Sequence, residues 1–116
     1  MSEPRLKTEI WIKAQVRLCD QACLAAVVVR RGDVDAGQVL IKRNRLGRGC
    51  ELLARRFTVD GARAWMVVVG GDGADAEHDC DAYIARESDI DPDLWVLEVE
   101  DPDGAYLPDG QEPVRD

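Results

Sequence analysis

Histidine is nearly absent from this 116-residue chain: His78 is the only one. Aromatic residues are scarce too, with three Trp, two Tyr and one Phe. No strand carries the aromatic-rich motif of RNA-binding sheets, which counts against that class. No apolar run approaches the roughly 18 residues that a membrane-spanning helix needs, and "MSEPRLKTE" does not read as a signal peptide. The expected setting is therefore cytoplasmic, with no membrane partner. The four cysteines are then expected as thiols or ligands and not as a disulfide framework.

Zinc would need those thiols and His78 to converge, and the spacing opposes it. Cys19 and Cys23 lie inside an apolar helical stripe, where a free thiol behaves as a small hydrophobe. His78 and Cys80 point about 160° apart around one helix. No metal and no cofactor is expected.

What the chain does have is apolar content, 46%, enough for a core within one domain, expected over residues 1–104. Its net charge of −8 hides a division. Residues 1–71 hold 13 basic and 7 acidic residues, whereas residues 72–116 hold 2 and 16. Either a basic surface awaits an anionic partner, or the two halves face each other within the fold or across a self-association interface. The second reading is favoured, since the excess acid repels nucleic acid.

The hydrophobic pattern predicts a short strand at residues 5–10 and a helix from about 11 to 23 carrying Trp11, Ile12, Val16 and Cys19 on one face. "LAAVVVRR", β-branched and apolar on both faces, reads as a central strand. "GDVDAG" is a turn, with Gly32 and Gly37 free to take positive φ. "QVLIKRNR", "CELLARRFTV" and "ARAWMVVVGG" continue an antiparallel meander, with a hairpin at Asp60–Gly61. A second helix follows, capped by Asp72 or Asp75, with Ala76, Cys80, Tyr83, Ile84 and Glu87 inward. "LWVLEVE" alternates as a last strand with Trp95, Leu97 and Val99 inward. Residues 105–116 are expected to form an acidic, flexible tail. The fold class predicted is α+β: one mostly antiparallel sheet of five to six strands with two helices on a face, in the order β-α-β-β-β-β-α-β.

Several constellations invite chemistry. Asp89, Asp91, Asp93 and Glu100 mimic a calcium loop, but Leu94 stands where such a loop needs Gly. A strand rising about 3.3 Å per residue also carries Glu100 away from the others. The glycine-rich "VVVGGDGADAEH" lacks the Lys and Ser/Thr of a phosphate loop and is acidic. Lys42, Arg43, Arg45, Arg48, Arg55 and Arg56, near Phe57 and Trp65, form a candidate basic surface for single-stranded nucleic acid. Asp33 and Asp35 in one turn, with Asp91 and Asp93 in another, could hold a divalent ion for phosphoester hydrolysis if the turns met at one sheet end.

Three stretches, "LKTEIWIKAQVRLC", "VVVRRGDVDAGQVLIKRNR" and "AYIARESDIDPDLWVLEVEDPDG", resemble a family of small alphaproteobacterial proteins of unknown function, DUF1491. The resemblance implies a bacterial cytoplasmic protein and carries no activity or cofactor. It implies that Gly32, Asp33, Asp35, Gly37, Asp91, Pro92, Asp93 and Trp95 are where a site is sought first. The function expected is a non-enzymatic binding or protein-interaction module, with a second copy or another protein as its candidate partner. The alternatives are a metal-dependent hydrolase or nuclease at the acidic turns, and nucleic-acid binding by the basic meander.

Overall fold

A computed structural model of the chain describes residues 6–115. Helix α1 (Thr8–Gln21) leads into β1 (Ala25–Arg30), β2 (Val39–Asn44), β3 (Gly49–Phe57) and β4 (Arg63–Asp72). Helix α2 (Ala76–Ile90), β5 (Trp95–Glu100) and a 3₁₀ turn (Pro108–Gly110) complete the order. The class is α+β with a five-stranded sheet and two helices. None of the helices described is long and apolar enough to cross a membrane.

The sheet order is β1-β5-β2-β3-β4, antiparallel except where β5 lies parallel to β2. The meander therefore holds for β2–β3–β4 but excludes β1, which β5 separates from β2. This corrects the reading of β1 as a central strand. It is an edge strand, and Val27 and Val29 are 59% and 54% exposed.

Alternation along the strands builds two cores, because successive side chains point to opposite faces. Ile41, Leu53, Leu97 and Val99 pack with Ile12 and Cys19 of α1. Leu40, Leu52, Ala54 and Val96 pack with Ala76 and Cys80 of α2. The helices thus cover opposite faces, not one face. Period-2 patterning marks which residues share a face; it does not say which helix covers that face.

The expected strand at residues 5–10 is absent where described: its first residue, Arg5, lies outside the described residues, and helix begins at Thr8. The amide N–H groups of Thr8 and Glu9 donate to the carbonyls of Asp35 and Val34, so a loop satisfies the first turn. Ile10 is accepted on the solvent side of this helix. The inward stripe of α2 is as expected, with Ala76 and Cys80 buried and Tyr83 and Ile84 half-buried.

The segment after Gly104 also departs from expectation, because its described part packs against the domain. The buried Asp101 carboxylate accepts from the N–H of Ala105 and Tyr106, each at 2.8 Å. Tyr106 is buried and donates its hydroxyl to Gln15. Val114 bridges to Met66 at the outer edge of β4, through Val114 N–H to Trp65 O and Val67 N–H to Val114 O. Proline, glycine and aspartate there make turns that fold the chain back.

Candidate functional site

The two acidic turns do share one end of the sheet. Asp33 N–H donates to Asp93 O at 3.0 Å, and the indole N–H of Trp95 donates to Asp33 O. The turns meet so closely that a Cβ at Gly32 or Gly37 would collide with the Asp93 carbonyl. Close approach, and not positive φ, is therefore what these two glycines supply; neither takes positive φ.

The carboxylates, however, do not converge. Asp33 Oδ2 accepts from the N–H of Asp35 and Ala36, and Asp91 Oδ1 accepts from Asp93 N–H. Each caps its own turn, as aspartate does when a loop leaves backbone donors unpaired. Asp35 pairs with Lys7 at 3.6 Å. Trp95 is a buried anchor under the Arg31 guanidinium. No three His, Cys, Asp or Glu side chains come together to hold a metal among the described residues. The thiols are likewise divided, with Cys19 in the α1 core and Cys50 and Cys80 in the α2 core.

The predicted basic surface is not continuous. Lys42 and Arg43 are only 5% and 4% exposed and face opposite cores. Lys42 Nζ bonds to Glu77 at 2.8 Å and Asp81 at 2.7 Å, with Glu98 at 3.7 Å. Burial alone would lower its pKa, but those hydrogen bonds and the charge of Glu98 and Asp81 raise it. Arg43 donates to Glu51 at 2.6 Å and to Tyr106 O at 3.0 Å. Burial alone would raise the pKa of Glu51, yet Arg115 and Arg43 hold it below the ordinary value. Arg45 and Arg48 approach Asp72 and Asp103, and Arg56 reaches the Tyr83 hydroxyl. Strand alternation explains the scatter: neighbouring cations in sequence leave on opposite faces.

Arg55 leads instead to a site that sequence reasoning missed. A cleft of about 660 Å³ opens between the start of α1, the β1–β2 loop and the Arg55–Trp65 end of β3 and β4. Trp11 and Trp65 stack on its wall, with centroids 5.4 Å apart and planes 24° apart. The Arg55 guanidinium lies 4.9 Å from the Trp65 ring and 5.9 Å from the Trp11 ring. Asp109 gathers these groups: its carboxylate accepts from Trp11 Nε1 at 2.8 Å, Trp65 Nε1 at 3.0 Å and Arg55. It does so from a left-handed backbone, with φ 54°. Lys7 and Arg63 line the mouth.

Of this site, the sequence marked Arg55 as basic and Trp65 as adjacent to it. Trp11 was assigned to the inner face of its helix, and Asp109 to a tail. The missed signal is the Pro-Asp-Gly turn at residues 108–110, which aims one carboxylate back at the domain.

A family model for DUF1491, proteins of unknown function, matches residues 6–109. The chain belongs to the DUF1491 family. A crystal structure of a DUF1491 protein from Caulobacter crescentus is 40% identical, with a TM-score of 0.78 over 95% of this chain and 99% of that one. An NMR structure of a DUF1491 protein from the same organism is 36% identical, with a TM-score of 0.76 over 97% and 98%. A solution structure of a protein from A. tumefaciens is 28% identical, with a TM-score of 0.65 over 84% and 87%. Both organisms are alphaproteobacteria, as the resemblance implied. No curated protein matches the chain.

Proposed function

We propose that this DUF1491 protein is a binding module whose ligand is a small, planar anion held in the Trp11–Trp65 cleft. One observation carries the reading: two stacked indoles and the cations Lys7, Arg55 and Arg63 border one concave space. Its volume of about 660 Å³ falls in the range of small-molecule sites, roughly 300–1,000 Å³. The half-buried Trp11, backed by the buried Trp65, offers a stacking face to a planar ring, while the cations attract and orient its negative group. Asp109 pairs with Arg55 and Asp35 with Lys7, and three cations against two carboxylates leave the lining with a net positive charge.

The test is titration of ¹⁵N-labelled protein with adenosine monophosphate and with benzoate. The expected result is a saturable shift of the Trp11 and Trp65 indole N–H resonances while Trp95 stays in place. The double variant Arg55→Gln, Arg63→Gln should remain folded by circular dichroism and bind at least tenfold more weakly. Indole resonances that stay unmoved by both probes, or binding indifferent to the double variant, would overturn the reading.

A further inference from the structure

We infer that β1 is a self-pairing edge, through which two copies of this chain join their sheets into one. The argument does not depend on the cleft, which opens on the far side of α1.

A strand at the edge of a sheet presents unpaired backbone N–H and C=O groups, and natural proteins protect such edges. The two edges here are treated differently. The β4 edge is bridged by the chain's own Val114. The β1 edge has no neighbour beyond it among the described residues. Its sequence, "AAVVVR", contains no proline and no lysine. Its one charge, Arg30, turns its guanidinium back onto the carbonyls of Pro92 and Leu94. Three consecutive valines, Val27 to Val29, remain exposed. One bulge, between Val28 and Arg30, lies at the end of the strand and leaves Ala25–Val28 in regular register.

A second copy of the chain is the occupant these residues suit. Antiparallel pairing about a two-fold axis through Val27 sets valine against valine, and Ala26 against Val28 of the partner subunit. No charge meets a like charge along the strand. The axis stands perpendicular to the sheet, so each α1 lies on the same face beside its copy. The flank of α1 turned toward this edge follows from the helix period. Ile12, Gln15 and Cys19 point into the core and Trp11 points across the sheet to Trp65 on β4. Glu9, Lys13 and Asp20 therefore lie on the flank above β1, and Glu9 indeed pairs there with Arg31, just past the strand. Two such flanks running antiparallel bring Lys13 of one copy, 3.7 Å from its own Glu9, toward Asp20 of the other, twice by symmetry. The edge is thus complementary to itself in shape and in charge.

Sedimentation equilibrium tests this directly. The wild-type chain is expected at about twice its 12.8 kDa mass at tens of micromolar. Val27→Lys places two ammonium groups opposite each other and should weaken association at least tenfold. Since Val27 is exposed, the monomer should keep its circular dichroism spectrum and melting point. Lys13→Glu or Asp20→Lys alone should weaken association, and the two together should restore it. A monomeric wild type at several hundred micromolar overturns the inference. A dimer indifferent to Val27→Lys, or single charge reversals that the double variant does not rescue, overturns it equally.

Discussion

Buried charges on this sheet are paired, and Glu51 is the most instructive of them. It sits between Arg43, itself buried, and the half-exposed Arg115. Its pKa is held below the ordinary 4.5, so its ionised form favours the folded chain. That contribution is fully present above about pH 4.5 and is lost as pH falls through the lower folded value. Glu51→Gln should therefore cost about 3 kcal/mol near neutral pH, where Arg43 loses its counter-charge. The gap from wild type should close as urea melts are taken from pH 6 down to pH 3. A constant gap would assign the loss to packing alone. Residue identities made these charges visible in the sequence, but their partners are distant in the chain. Lys42 and Arg43 looked like neighbours on one surface, and the pleat sends them to different cores.

At the scale of elements, local pattern was sufficient for β2, β3, β4, β5 and α2. Apolar alternation, hairpin glycines and an i, i+4 stripe are short-range signals, and the structure follows them. Neighbour relations are not short-range. Nothing within "AAVVVR" says that β5 will lie beside it, nor that α1 will cover only one side. The turns occupy a middle ground: their acids announced them, while their meeting depends on two glycines pressed against one carbonyl. Gly37→Ala would put a Cβ into the Asp93 carbonyl and 2.8 Å from Trp95 Cδ1. Such overpacking should lower stability by about 1–3 kcal/mol, read as a lower urea midpoint. Gly104, whose neighbourhood is open, answers to a different constraint: its φ of 69° makes a side chain strained even without a clash. The C-terminal segment behaves as an element too. Ending the chain at residue 104 would remove Tyr106 from the core and Val114 from the β4 edge. A loss of at least about 2 kcal/mol is expected from the Tyr106 side chain alone. Light scattering should rise as the uncovered strand associates. A truncated chain that melts and sediments like the full one would show that the segment merely rests on the surface.

For the whole molecule, the division of charge along the chain becomes a division in space that closes on itself. Lys42 meets Glu77 and Asp81, Arg45 meets Asp72, Arg48 meets Asp103 and Arg55 meets Asp109. The basic first half and the acidic second half are thus partners within one fold, and the remaining acid is left on the outside. The cleft is the part of the design least legible beforehand, because its four defining side chains come from α1, β3, β4 and the final turn. The insertion of β5 between β1 and β2 has a further consequence, for synthesis. As the chain leaves the ribosome, β2, β3, β4 and both helices can assemble, but β1 has no strand to join. The arrival of residues 95–100 closes two seams at once, antiparallel on one side and parallel on the other. Residues 25–30 must therefore wait for the last quarter of the chain, exposed to chaperones and proteases until it emerges.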